Sequence, residues 1–144
     1  MNFRRAMTAT ALACVLGTAT TAQAQTPVNP QLVEIPRTAT TLEGVPTVRI
    51  DSSGKGATSR MLTDAEAKQN MLSVRVANGQ FYWTSRDNRP LRLDTTGGFM
   101  YLQDKPGSYI KFTKVDDKIT YVEHVDHGLE SITYWGELRV VVGR

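Results

Sequence analysis

Leu72-Ser73-Val74-Arg75-Val76-Ala77-Asn78-Gly79-Gln80-Phe81-Tyr82-Trp83-Thr84-Ser85 decides the fold class of this 144-residue chain. Two β-prone runs flank Asn78-Gly79. That pair is the preferred centre of a two-residue type I′ hairpin, because both central residues must take positive φ. The turn fixes a register: Ala77 faces Gln80, Val76 faces Phe81, Arg75 faces Tyr82 and Val74 faces Trp83. Side chains alternate between the faces of a strand. Val74, Val76, Phe81 and Trp83 then share one face, and Ser73, Arg75, Tyr82 and Thr84 the other. Apolar and polar residues separate, as expected for a hairpin buried on one side.

The pattern continues toward the C-terminus. Short β-prone runs at 91–94, 99–103, 109–114, 119–124, 131–135 and 138–142 are separated by Gly97-Gly98, Asp104-Lys105-Pro106-Gly107, residues 116–118 and residues 126–128. At 116–118, cross-strand pairing favours a three-residue loop, with Lys111 opposite Glu123 and Phe112 opposite Val122. The alternative two-residue loop sets Phe112 opposite Tyr121 but Ile110 opposite Glu123. At 126–128 a three-residue loop with Gly128 in the left-handed region sets Val122 beside Ile132 and His124 beside Glu130. Gly136 is either a bulge within one long strand or the start of a tight turn.

Toward the N-terminus, Thr63 followed by Glu66 forms a capping-box pattern and predicts a short helix over 62–70. Residues 52–59 (SSGKGATS) read as a loop, and 47–51 (TVRID) as a strand. Residues 25–46 carry Pro27, Pro30, Pro36 and Pro46. Proline lacks an N–H and fixes φ, which argues against a helix or a central strand there. Residues 31–35 are a candidate edge strand. The fold class is mainly β: one small antiparallel meander, a barrel or a sandwich, with one short helix. Residues 1–24 precede it as a signal peptide, 25–46 form an extended lead-in, and 47–144 form the β-rich domain.

Residues 1–24 have the three parts of an export signal. Arg4 and Arg5 are followed by a small, uncharged apolar run, and Ala22-Gln23-Ala24 is an A-x-A cleavage site, which sets the cut between Ala24 and Gln25. The expected address is periplasmic or secreted. Cleavage removes Cys14, the one cysteine, so the mature chain has no disulfide chemistry. It also removes two of 17 cationic residues and none of the 14 acidic ones, so net charge falls from +3 to +1. Such a balance argues against nucleic acid as a partner. No second apolar run is long enough for a transmembrane helix.

No catalytic set is legible: there is no mature cysteine and no G-x-S-x-G elbow, and no cofactor is expected. Glu123-His124-Val125-Asp126-His127 holds four potential metal ligands, with His124, Asp126 and His127 the candidates. Residues three apart on a strand point to opposite faces, so a turn at Asp126 would have to bring the histidines together. Solvated hairpin residues are the simpler reading. The candidate binding residues are Arg75, Tyr82, Arg86, Arg89, Tyr134 and Trp135, since rigid aromatics and arginine dominate protein-binding hot spots. Trp83 is assigned to the core.

The stretch Gly79-Gln80-Phe81-Tyr82-Trp83-Thr84-Ser85-Arg86-Asp87-Asn88-Arg89-Pro90-Leu91 resembles the periplasmic lysozyme inhibitors, small β-barrels in which an aromatic strand leads into a basic loop. The cysteines common in that family are missing, as is its Lys-Gly step after the aromatic strand, so no site residue is carried over. The expected function is non-catalytic binding to a protein partner in the cell envelope. Metal binding through the His124/Asp126/His127 turn and inhibition of a hydrolase such as lysozyme are the alternatives.

Overall fold

A computed structural model describes residues 33–97 and 99–143. The expected signal peptide, its expected Ala24–Gln25 junction and the first part of the lead-in lie outside the described residues. The chain forms β1 (Ala39–Ser53), β2 (Gly56–Met61), α1 (Asp64–Gln69), β3 (Leu72–Ala77), β4 (Gln80–Trp83), β5 (Arg89–Asp94), β6 (Met100–Lys105), β7 (Ser108–Val115), β8 (Lys118–Asp126) and β9 (Glu130–Val142). The strands pair antiparallel in the order β2-β1-β3-β4-β5-β6-β7-β8-β9, and β1 also pairs with β9. That last pairing closes an eight-stranded barrel, with β2 as a flap on the far half of β1. Closure removes the exposed edges that a sandwich would keep. Among the described residues, no helix is long and apolar enough to cross a membrane.

The Asn-Gly hairpin has the register its turn dictates, from Ala77↔Gln80 to Val74↔Trp83. Asn78 and Gly79 take φ of 52° and 75°, as a type I′ turn requires. Its apolar face enters the barrel, where Val74 and Trp83 join Leu42, Leu72, Leu102, Ile110 and Phe112 in the core. Helix α1 has both halves of its capping box: Thr63 Oγ1 accepts from the Glu66 N–H, and Glu66 Oε2 accepts from the Thr63 N–H at 2.9 Å.

Four sequence expectations are corrected. First, β1 begins at Ala39 and runs through Pro46 as a wall of the barrel, where a central strand had been argued against. Proline is tolerated because the ladder slips there: Pro46 pairs with Gly136, but Val48 pairs with Trp135, leaving Thr47 as a bulge. Gly136 is thus inside one long strand, opposite the bulge. A Cβ on it would stand 2.1 Å from the Val45 carbonyl oxygen, so only glycine fits. Residues 33–35, the described part of the expected edge strand, are irregular. Second, residues 52–59 are the tip of the β1–β2 hairpin and most of β2, which is exposed throughout and formed by its ladder with β1. Third, the β7–β8 loop is the two-residue Asp116-Asp117, so Phe112 faces Tyr121 and Ile110 faces Glu123. Fourth, β8 and β9 pair three residues out of the expected register: His124 faces Thr133, Val122 faces Trp135, and Gly128-Leu129 form the tip.

The closed barrel has two ends. The start of β1, the end of β9 and the β3–β4, β5–β6 and β7–β8 turns form one. The β4–β5, β6–β7 and β8–β9 loops and the β1–β2 flap form the other.

Candidate binding site at the polar end of the barrel

The β4–β5 loop builds this end. Ser73 anchors its start: the Thr84 N–H donates to the Ser73 carbonyl at 2.9 Å, the Thr84 hydroxyl to the same oxygen at 2.8 Å, and the Ser73 N–H to Ser85 Oγ at 3.1 Å. The Arg86 N–H closes a turn on the Trp83 carbonyl at 3.0 Å. Asp87 and Asn88 follow in the left-handed region, which short polar side chains tolerate. The chain therefore folds back over the barrel, and Arg86 points into it.

There Arg86 Nε donates to Glu123 Oε1 at 3.1 Å. Glu123 is 1% exposed and Arg86 is 34% exposed. Burial pushes the Glu123 carboxyl above the ordinary glutamate range, opposed by the Arg86 charge and hydrogen bond and by the nearby Trp83 indole. Trp83 Nε1 nonetheless lies outside hydrogen-bond geometry. Trp83 Nε1, Tyr121 Oη and Glu123 Oε2 are the unpartnered buried side-chain polar atoms among the described residues. They belong to one cluster: burial, and then the Glu123 charge, drive the Tyr121 hydroxyl far above its usual pKa. Tyr121 also explains Gly44, where a Cβ would come within 2.4 Å of its ring. Tyr134 completes the cluster from β9. It is 2% exposed, donates to Asn70 Oδ1 at 2.8 Å and accepts from Arg49 at 3.4 Å, and its ring centroid lies 5.9 Å from the Arg86 guanidinium carbon.

Above this cluster a cavity of about 240 Å³ opens, with Trp83, Arg86, Arg89, Asp104, Ser108 and His127 on its walls. Glu123 does not line it and acts on it by holding Arg86. Arg89 is fixed by Asp104 at 2.9 Å and approached by Asp87 at 3.6 Å. The rim thus carries two arginines, each held by an acid, and the exposed Lys105.

The six binding candidates occupy three places. Arg86 and Arg89 line the cavity, with Tyr134 buried beneath. Arg75 and Tyr82 lie on the outer wall of β3 and β4, the guanidinium carbon 4.2 Å from the ring centroid. Trp135, half exposed, lies on the outer face of β9, since it follows the inward Tyr134. Trp83 is in the core as assigned, 1% exposed. The metal candidates are apart as well. His124 stacks on Tyr109 at 5.3 Å and shares a 2.8 Å hydrogen bond with Thr133, rather than facing Glu130. Asp126 accepts from the Gly128 N–H at 2.7 Å, and the His127 N–H donates to the Glu130 carbonyl. Among the described residues, no group of three or more His, Cys, Asp or Glu could hold a metal ion.

Sequence reasoning missed Glu123, Tyr121, Asn70 and Arg49. One signal was present: Ile119, Tyr121 and Val125 alternate with Thr120, His124 and Asp126, which places Glu123 on the apolar face. Comparisons with protein-family models, curated proteins and solved structures find no significant match to this chain.

Proposed function

We propose that this is an exported, non-catalytic binding protein that engages a protein partner through the polar end of its barrel. The observation that carries the reading is the buried anchoring of Arg86 on Glu123, beside an Arg89 already held by Asp104. Long cationic side chains fixed in advance lose little rotamer freedom on binding, which is how arginine becomes an affinity hot spot. Glu123 does not reach the cavity, so its part in the arrangement is to position the Arg86 guanidinium. Export is supported by Arg4-Arg5 and Ala22-Gln23-Ala24, and is checked by finding Gln25 as the first residue of the protein recovered outside the cytoplasm.

The test replaces Arg89 and Lys105, both exposed at the rim, by glutamate. Partners captured by cross-linking from an envelope extract are then measured against purified wild-type and Arg89→Glu/Lys105→Glu protein by calorimetry. The expected result is at least a tenfold affinity loss, the scale of a lost hot spot, in a variant that stays folded with its melting temperature lowered by loss of the Arg89–Asp104 pair. Equal affinities for every captured partner would remove the polar end from consideration.

Inhibition of a hydrolase such as lysozyme is a narrower form of the same reading. One observation favours it: aromatic strand β4 leads directly into the loop that carries Arg86 and ends beside Arg89. Undiminished lysozyme turnover at saturating protein would discard it.

A further inference from the structure

We infer that the opposite, apolar end of the barrel is a binding site for a single-chain anionic amphiphile, with the chain inside the mouth and the head group on Arg37. A cavity of about 500 Å³ opens there, within the size class of small-molecule sites, which favour barrel mouths. Val33, Ile35, Val76, Phe81, Leu93 and Met100 form its apolar walls. Val33 and Phe81 belong to the buried core, while Leu93 is 48% exposed at the rim. Half-buried Ile35 and Val76 join Leu93 in carrying the core out to a concave surface, and a contiguous apolar patch of this kind marks a site for apolar matter.

One wall comes from residues 33–38, whose C-terminal part is fixed by a local turn and by a continuation of the β1–β9 ladder. The Ala39 N–H donates to the Pro36 carbonyl at 2.9 Å, and the Gly143 N–H donates to the Thr38 carbonyl at 2.8 Å. This segment carries Arg37, the one charged side chain among the described residues lining the cavity. The seven ion pairs among the described residues do not include it. The contrast with the polar end is direct, because each arginine there faces an acid. An apolar chain that leaves water inside the mouth would present an anionic head to an uncommitted guanidinium, and charge complementarity selects a carboxylate or related anion. A concave pocket of this volume takes one chain from solution; a bilayer surface would call for a broad, flat apolar face.

Calorimetry of the full-length protein with octanoate, decanoate and dodecanoate, each below its micelle concentration, tests the assignment. Saturable one-to-one binding is expected, with affinity rising about fourfold per added methylene until the chain outgrows the mouth. Leu93→Glu, which places a like charge at the rim, should weaken dodecanoate at least tenfold, and Arg37→Gln about threefold or more. Circular dichroism melting should show both variants folded as wild type. No saturable binding of any chain would overturn the inference, as would dodecanol binding as tightly as dodecanoate. Association only with phosphatidylglycerol vesicles would also overturn it, by pointing to a membrane as the source. Uptake seen only after residues 1–32 are cut away would overturn it in favour of the chain's own N-terminal segment as occupant. None of these outcomes bears on the Arg89/Lys105 test, so the two readings fail separately.

Discussion

The two ends of the barrel close by opposite physics. At one end, Val33 of the segment 33–38 is buried with Phe81 and Met100, and burial of apolar surface, which has no direction, does the holding. At the other, Glu123 is withdrawn from water beside Tyr121 and Trp83, and one directional contact with Arg86 compensates its charge. The first kind of end should yield gradually to substitution, since each side chain contributes its own area. The second should fail steeply when one partner goes and recover when both go, because an unpaired buried charge costs more than the pair contributes. The difference shows where this protein can hold a surface residue rigid: of the two ends, among the described residues, it is the polar one that fixes an arginine from below.

Removing Arg86 is the largest test of that contrast. Arg86→Ala leaves Glu123 buried without its cation and should cost about 3 kcal/mol, the lower end for a broken buried pair, because Arg86 is itself partly solvated. Arg86→Met combined with Glu123→Leu should recover most of the loss. Leu93→Ala at the apolar end should cost less than about 1 kcal/mol, since half of that side chain is already in water. Urea melts of the four proteins decide the matter. Equal losses for Arg86→Ala and Leu93→Ala would erase the distinction between the ends.

A smaller and pH-dependent effect isolates the carboxyl. The Glu123 pKa is raised in the folded protein by burial, above the 4.5 of an ordinary glutamate. Folding therefore favours its protonated form. The stability linked to it is fully present below pH 4.5 and is lost as pH rises through the folded-state value. Glu123→Gln, which cannot ionise, should gain on wild type as pH increases above 4.5. A difference between the two proteins that stays constant from pH 4 to about 8 would mean that Arg86 cancels the burial cost.

The hairpin at the centre of the sequence was legible because its turn is encoded by two residues: Asn78-Gly79 sets a register that nothing distant needs to correct. Thr63 and Glu66 likewise specify the start of α1 locally. The β7–β8 register was misread for a reason that locates the site. Opposite charges across a ladder normally pair, which makes Lys111 the expected partner of Glu123. The real partner is Arg86, 37 residues away, which only the closed barrel brings near. A local rule failed where a buried polar group is held by tertiary structure, the kind of place where a departure from local consistency marks function or strain. Pro46 taught the same lesson from the backbone side. The bulge that admits it depends on Gly136, which lies 90 residues further along the chain.

The smallest effect sets an exposed acid against the buried one. Glu66 lies on α1, which joins the flap to β3, and it receives the Thr63 N–H and hydroxyl and the Arg60 guanidinium, the last at 2.7 Å. The Thr63 backbone N–H first, and then Arg60, lower its pKa from 4.5 to about 2. Its sign is opposite to that of Glu123: folding favours the ionised form, so the stabilisation is present above pH 4.5 and is lost as pH falls toward 2. Glu66→Gln should therefore be less stable than wild type at neutral pH and converge with it near pH 2. The gap should shrink with added salt, because the group is in water and its ion pair is screened. A gap that survives both acid and salt would assign Glu66 a packing role rather than an electrostatic one. The two mutants then bracket the question at this one end. If the Glu123→Gln gap opens as pH rises above 4.5 and the Glu66→Gln gap closes as pH falls below it, the polar end is stabilised by where its charges sit relative to water, and not by how many there are.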